Sequence, residues 1–242
     1  MRTAIQLYTL REIDEPLPAI LERVADAGYD GVEFAYRLHD ADLDAVLDTL
    51  ADTGLDVAGA HVGTDRFEEF EEIADSYHAV GCETVIVPAV DQEQFSSVIG
   101  VGTIARQLRK YARTATDHGF EFAYHNHDFE FGQLGEESAY ENMVAQLNHQ
   151  VGLEIDVGWV HAGGFDPAEL IERYSDRTTH LHVTDVVGDE PAEVGEGETD
   201  IEACVDAAHD ADVEWLVYEH DIPEAPLDSL EHGATELNRL AA

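Results

Sequence analysis

Basic residues are scarce in this chain of 242 residues. Its 12 Lys and Arg, of which Lys110 is the single lysine, stand against 53 Asp and Glu, for a formal net charge of −41. Phosphate backbones are held by clustered Lys and Arg, so nucleic acid is excluded as a partner. Long apolar runs are lacking as well: no stretch reaches 18 apolar residues, so no membrane partner is expected. Met1 to Leu10 shows no basic region leading into an apolar signal core and reads as a first strand, so a cytoplasmic location is expected. Of two cysteines, Cys82 and Cys204, neither belongs to a CxxC spacing. A zinc knuckle and a redox pair are therefore unsupported, and both are expected to be buried free thiols. A glycine-rich turn after the first strand is missing too. Tyr8-Thr9-Leu10-Arg11 stands there, no GxGxxG occurs, and Gly100-Val101-Gly102 lacks both the third glycine and a preceding strand. That counts against a doubly wound dinucleotide-binding sheet.

The acidic residues are plentiful but not gathered into a tail. In Asp40-Ala41-Asp42-Leu43-Asp44-Ala45-Val46-Leu47-Asp48 the apolar residues keep helical spacing while aspartates fill the other positions. Such self-repulsion destabilises a compact state unless salt screens it. The acidity reads as adaptation to a high-salt (halophilic) cytoplasm; a dedicated binder of cations or basic proteins is the other reading.

Strand-like and helix-like segments alternate along the whole chain. Strands are expected near 3–8, 31–36, 55–62, 83–89, 120–127, 151–157, 178–185 and 213–219. Their spacing of roughly 30 residues is that of a βαβ unit. Gly28, Gly54, Gly81 and Gly119 stand at helix exits, where a left-handed cap is expected. The strands are near-continuously apolar, as in a parallel sheet buried on both faces. The expectation is an α/β fold, a single (β/α)8 TIM barrel occupying 1–242 as one domain. The segment Gly188 to Thr199, with Gly195-Glu196-Gly197-Glu198, is expected to cover the barrel mouth after the seventh strand.

Five of the apolar runs end in a polar cluster able to bind metal: Gly59-Ala60-His61, Tyr124-His125-Asn126-His127, Glu154-Ile155-Asp156, His180-Leu181-His182 and Tyr218-Glu219-His220. Ligands placed one per strand, at the same end, describe a metal site at the carboxyl end of a barrel, where catalytic groups gather. Glu219 closes the last strand, although a solvated loop glutamate is the ordinary alternative. Asp156 is followed by Val157-Gly158-Trp159, small residues that leave room. His180 and His182 share a face by alternation; a lone strand histidine is usually a core residue, but two facing inward near acids favour a site. Of His125 and His127, also on one face, one binds metal and the other touches substrate. His61 suits a substrate hydroxyl. Glu33 is either an acid behind the ligands or a structural strand end. Imidazole with two carboxylates suits Mn2+, Co2+ or Mg2+ better than structural zinc.

The order of these pieces resembles the xylose isomerase-like barrels grouped as sugar phosphate isomerases/epimerases, with ketose 3-epimerases and inosose dehydratases as relatives. The resemblance rests on Gln6-Leu7-Tyr8-Thr9-Leu10-Arg11, Gly28-Tyr29-Asp30-Gly31-Val32-Glu33, His125-Asn126-His127, Asp156-Val157-Gly158-Trp159, His180-Leu181-His182-Val183-Thr184-Asp185, Val194-Gly195-Glu196-Gly197 and Glu219. It implies one divalent metal on four strand-end ligands. Asp156, His182 and Glu219 match three of them; the fourth is a glutamate in the epimerases and His125 here. Trp159 stands where many relatives place a substrate-binding histidine, and Thr184 where a related His-x-Lys-Asp segment carries lysine. The apurinic-site endonucleases share the barrel, but their additional ligands and basic groove are not matched.

The expected function is a divalent-metal-dependent sugar isomerase or epimerase acting on a ketose or related polyol ketone through an enediolate. Glu219 would be the base and His125 or His127 the acid, with His61, His127, Trp159 and Glu33 meeting the substrate. Dehydration of an inosose-type or other keto sugar is the alternative reaction, and a non-catalytic sugar-binding barrel the alternative class. The partner is a small-molecule sugar, with a homo-oligomer left open.

Overall fold

The computed structural model describes residues 1–35 and 37–242. Eight parallel strands close into a barrel. They are β1 (Arg2–Gln6), β2 (Gly31–Phe34), β3 (Asp56–His61), β4 (Thr84–Val87), β5 (Glu121–His125), β6 (Gly152–Asp156), β7 (Thr178–Val183) and β8 (Trp215–Tyr218). Each pairs with its sequence neighbour, and β8 returns to β1 through Arg2↔Trp215 to Ile5↔Tyr218. All eight expected strands are present, each shorter than its apolar run. β1 stops at Gln6 because Leu7–Leu10 turns into a 3-10 helix, with the Gln6 side chain accepting from Tyr8 N. Position 36, in the expected second strand, lies outside the described residues.

The outer layer comprises α1 (Leu17–Ala27), α2 (Leu43–Thr53), α3 (Phe70–Ala79), α4 (Val98–Asp117), α5 (Ala139–Val144), α6 (Val157–Ala162), α7 (Pro167–Arg173), α8 (Ile201–Asp210) and α9 (Pro226–Leu240). Acidic and hydroxyl caps start many of them: Asp42, Ser97, Ser138, Asp166 and Asp200 each accept from a backbone N–H of the first turn. Gly28, Gly54, Gly81 and Gly119 all take positive φ at the exits, as expected of left-handed caps. Gly100 and Gly102 lie inside α4 and form no phosphate loop.

The main apolar core lies between barrel and helices, whose buried faces carry residues such as Leu21, Val46, Tyr77, Leu108 and Leu237. Inside the barrel the filling changes with height. Ala4, Ala58, Trp215 and Val217 form a small apolar cluster. Toward the carboxyl ends, polar Gln6, Glu33, His125, Glu154, Asp156 and His182 are buried instead. A barrel interior is ordinarily filled by branched apolar side chains, so this polar layer needs a reason.

The segment after β7, expected to cover the mouth, contributes no residue to the wall of the cavity there. It forms a two-stranded antiparallel ribbon, Asp185–Val187 with Glu190–Ala192, and then winds around Asp185. That buried carboxylate accepts from the backbone N–H groups of Val186, Gly195, Gly197 and Thr199. Glu193 turns the other way, toward Tyr218 and Ser229. Four N–H bonds to one charged group hold the loop against the barrel wall.

Candidate metal centre

Five strand ends deliver the site. β5 supplies His125, β6 supplies Asp156 and Glu154, β7 supplies His182, and Glu219 follows β8, with His61 ending β3. Nitrogen and oxygen atoms of His125, Asp156, His182 and Glu219 lie within 4.8 Å of one another, and all four residues are buried. His182 Nδ1 is 3.0 Å from Glu219 Oε2, and His125 Nε2 is 4.0 Å from Asp156 Oδ2. Asp156 Oδ2 is buried without any hydrogen-bond partner. An ionised oxygen in that position is costly unless a cation or proton meets it. The donor set of two imidazoles and two carboxylates fits a divalent metal.

Asp156 is aimed by its neighbours. It ends β6 and also caps α6, its Oδ1 accepting from Trp159 N at 2.9 Å and from the Thr184 hydroxyl at 2.5 Å. The same hydroxyl accepts from Gly158 N at 2.9 Å. Asn126 holds the backbone, accepting from Asp156 N and donating to Asp156 O. One carboxylate oxygen is thus engaged and the other left facing the histidines.

Behind the four lies a second layer. Glu154 Oε2 is 2.7 Å from His61 Nε2, 3.1 Å from His125 Nδ1 and 3.3 Å from His182 Nε2. Glu33 Oε1 is 2.9 Å from His61 Nε2 and 3.1 Å from His182 Nε2, and accepts from the Gln6 amide. Burial lowers a histidine, but Glu33 and Glu154 outweigh it at His61 and raise it to about 10. His182 is raised well above its usual range by the same carboxylates. Burial would raise Glu154 and Glu219, yet the charge and hydrogen bonds of His182 hold Glu154 far below the carboxylate range and Glu219 at about 2. Asp156 behaves oppositely: burial exceeds the pull of His182 and Thr184 and lifts it to about 7.

A cavity of about 360 Å³ opens above, lined by Tyr8, Ala35, His61, Gly63, Pro88, Ala89, His125, His127, Glu219 and Asp221. That size suits a small organic ligand. Burial, with His125 adjacent, lowers His127 to about 3, so it is neutral. Asp221 is raised to about 7 by burial and by the charges of Glu219 and Asp156.

Of the expected site residues, His61, His125, His127 and Glu219 reach the cavity wall. Asp156 and His182 sit just beneath it, fully buried. Glu33 is a buried acid behind the ligands, without exposure toward a substrate. Trp159 does not line the cavity; it lies in the first turn of α6, its ring 6.3 Å from that of His127. His180 points to the lower barrel, bonded to Ala58 O at 2.8 Å, and takes no part. Sequence reasoning missed Asp221 and Tyr8, which lie just beyond strand ends, Tyr8 in the 3-10 helix after β1. It also passed over Glu154 and Gln6 as site residues, although Glu154 was legible as an inward position two residues before Asp156.

The chain belongs to the xylose isomerase-like TIM barrel family, whose sequence profile matches residues 21–240. It is 27% identical over 199 residues to an inosose dehydratase of Geobacillus kaustophilus, covering 69% of this chain and 61% of that protein. An inosose dehydratase of Clostridium botulinum is 25% identical over 187 residues, with 62% of it covered. The chain thus spans about three-fifths of the curated relatives it matches. Among solved structures, a sugar phosphate isomerase/epimerase of Parabacteroides distasonis superposes with a TM-score of 0.85 at 19% identity, covering 99% of this chain and 98% of that one. An IolI protein with a bound zinc atom gives a TM-score of 0.79 at 17% identity, covering 99% and 98%. These structural likenesses concern the fold. No helix among the described residues is long and apolar enough to cross a membrane.

Proposed function

We propose that this protein is a divalent-metal-dependent lyase that dehydrates a keto sugar or keto cyclitol by removing the proton next to its carbonyl. The observation that carries the reading is the convergence of His125, Asp156, His182 and Glu219 beneath an open cavity, with Asp156 Oδ2 unpartnered. A divalent metal on these four residues supplies Lewis-acid polarisation of a carbonyl and a template for the neighbouring hydroxyl.

The side chains divide the remaining work. Glu219 reaches the cavity and takes the carbon-bound proton. His125 has one nitrogen toward Glu154 and the other toward Asp156, so it is a ligand here and has no proton to offer the substrate. His127 and Asp221, both in the cavity wall, serve the departing hydroxyl. His61 closes the floor under the substrate.

Isomerisation or epimerisation stands first on the sequence alone; two observations move dehydration ahead of it. The cavity carboxylates Glu219 and Asp221 both come from the β8 end, while imidazoles occupy the β3 and β5 side. Epimerisation through two opposed carboxylates lacks its second carboxylate in this arrangement, whereas elimination needs one base and one proton donor. The curated relatives given above are inosose dehydratases as well. Epimerisation remains the second reading, favoured by the fold likeness to an isomerase/epimerase.

The test is elemental analysis with a turnover panel. Wild type is expected to carry one divalent metal, and Asp156→Asn and His182→Ala to lose it while remaining folded. With an inosose carrying deuterium next to its carbonyl, release of that deuterium to water is expected along with the unsaturated product, and Glu219→Gln to abolish both. Full metal occupancy in both ligand variants would sink the site; epimer formation without dehydrated product would sink the reaction.

A further inference from the structure

We propose that Glu154 is a positioning residue of the metal centre: one buried carboxylate oxygen fixes the tautomer of His125 and, together with Glu33, that of His182, so that His125 offers Nε2 and His182 offers Nδ1 to the metal. The proposal rests on the metal reading above and deepens it.

Two four-residue groups at the barrel mouth have the spacing of a metal site, one of His125, Asp156, His182 and Glu219 and one of His61, His125, Glu154 and His182. They share two histidines but use opposite faces of each ring. Toward the first group point His125 Nε2, 4.0 Å from Asp156, and His182 Nδ1, 3.0 Å from Glu219. Toward the second point His125 Nδ1, 3.1 Å from Glu154, and His182 Nε2, 3.3 Å from Glu154 and 3.1 Å from Glu33. A neutral imidazole has one lone-pair nitrogen and one N–H. Each ring can therefore serve one group as a ligand and the other as a proton donor, and the groups exclude each other.

Several features select the first group for the metal. A catalytic metal needs an open position for substrate, and of the two groups only the first brings a carboxylate, Glu219, to the cavity wall. Glu154 is fully buried and lines no part of that cavity. Asp156 Oδ2 has no partner, whereas Glu154 Oε2 has three imidazole nitrogens around it. Glu154 Oε1 and Glu33 Oε2 are also unpartnered, but both lie in the closed layer below. The backbone is shaped to the same end: the ladder shifts register between Leu153 and Glu154, and again between Val32 and Glu33. Such irregularities re-aim side chains beside active sites. A carboxylate that accepts the far N–H of a ligating histidine orients the ring and raises its basicity. Here Glu154 does so for His125 and shares His182 with Glu33, from the same strand as the ligand Asp156, and His61 occupies the remaining side of its oxygen.

The experiment uses cadmium-113 as the metal in the 15N-histidine-labelled full chain and reads one-bond metal–nitrogen couplings. Couplings to Nε2 of His125 and Nδ1 of His182, with none to His61, are expected. Coupling to His125 Nδ1, His182 Nε2 or either nitrogen of His61 would overturn the proposal while leaving metal binding intact. Absence of bound cadmium would bring down the metal reading itself, and the proposal with it. In parallel, folded Glu154→Gln should bind Co2+ about 10–100-fold more weakly than wild type. Equal affinity in the two would overturn the positioning role; should the variant not fold, the coupling pattern of wild type still decides.

Discussion

Replacing Thr184 by valine removes one hydroxyl with two buried duties. Its side chain donates to Asp156 Oδ1 at 2.5 Å and accepts from Gly158 N at 2.9 Å, in a residue 5% exposed. A hydrogen bond to a charged group contributes about 1.5–3 kcal/mol, and a buried N–H left without a partner costs about 1–3 kcal/mol. The two losses share one atom and do not simply add. A net destabilisation of about 2–5 kcal/mol is expected, or a fall in Tm of roughly 5–15 °C for a domain of this size. Thr184→Ser keeps the hydroxyl and loses one methyl, for about 1 kcal/mol. Gly158→Ala attacks the same contact from the other side, since a Cβ there would lie 2.3 Å from Thr184 Oγ1. Thermal melts followed by circular dichroism at fixed salt measure all three, and metal titration of the folded variants reads the aim of Asp156. If Thr184→Val melts with Thr184→Ser and binds metal as tightly, the hydroxyl does not hold Asp156 and the reasoning fails.

Salt is expected to raise Tm steeply, because the Debye length falls from about 10 Å at 0.1 M to about 3 Å at 1 M and Arg37 and Arg177 are committed to backbone carbonyls, unlike Arg23, Arg173 and Arg239, which pair with acids; a flat Tm from low to molar KCl would refute the reading of the acidity. Gly233→Ala should destabilise α9 by about 1–3 kcal/mol through overpacking, against a helix-propensity gain of about 1 kcal/mol, since its Cβ would lie 2.5 Å from the Tyr29 hydroxyl and 2.6 Å from the Tyr218 ring; a rise in Tm would show that the rings yield. Cys82 and Cys204 are buried and free, and burial pushes both thiols up, Cys204 to about 12; a disulfide reagent should therefore label them only at the rate of unfolding, and rapid labelling of the native protein would contradict their burial. The cavity wall has no Lys or Arg among the described residues and presents Glu219 and Asp221; a neutral polyol ketone should therefore bind at least tenfold more tightly than its phosphate ester, and the reverse order in competition would refute this.

The barrel was legible because its signal repeats. Eight apolar runs, each followed by a helical pattern and often a capping glycine, admit few arrangements other than a closed parallel sheet. The strand-end cluster was legible for a related reason: an apolar run that gives way to Asp156, His182 or Glu219 marks the rim where the buried sheet meets the cavity. Roles that depend on distance between strands were not. The ribbon after β7 has glycines that suit a lid, but the four N–H groups converging on Asp185 are set by the fold and draw it to the wall. Trp159 was placed toward substrate by the family resemblance, whereas the immediate start of α6 turns its backbone N–H onto Asp156 and sets its ring beside His127 rather than in the cavity wall.

The polar layer inside the barrel follows from what the rim has to hold. Glu33, Glu154, Asp156 and Glu219 all face inward, and of the histidines among them His61 and His182 are raised by these carboxylates while burial pushes His125 below its usual range. These four carboxylates outnumber the three imidazoles, and burial lifts the Asp156 acid to about 7. Filling the barrel with leucine and valine would leave the ligand histidines free to rotate and flip their tautomers. On the proposed reading the inward glutamates prevent that, at the cost of buried negative charge that a bound divalent cation would offset. An interior of this composition is favourable only where a cation completes it, so the polar layer and the proposed metal centre explain each other.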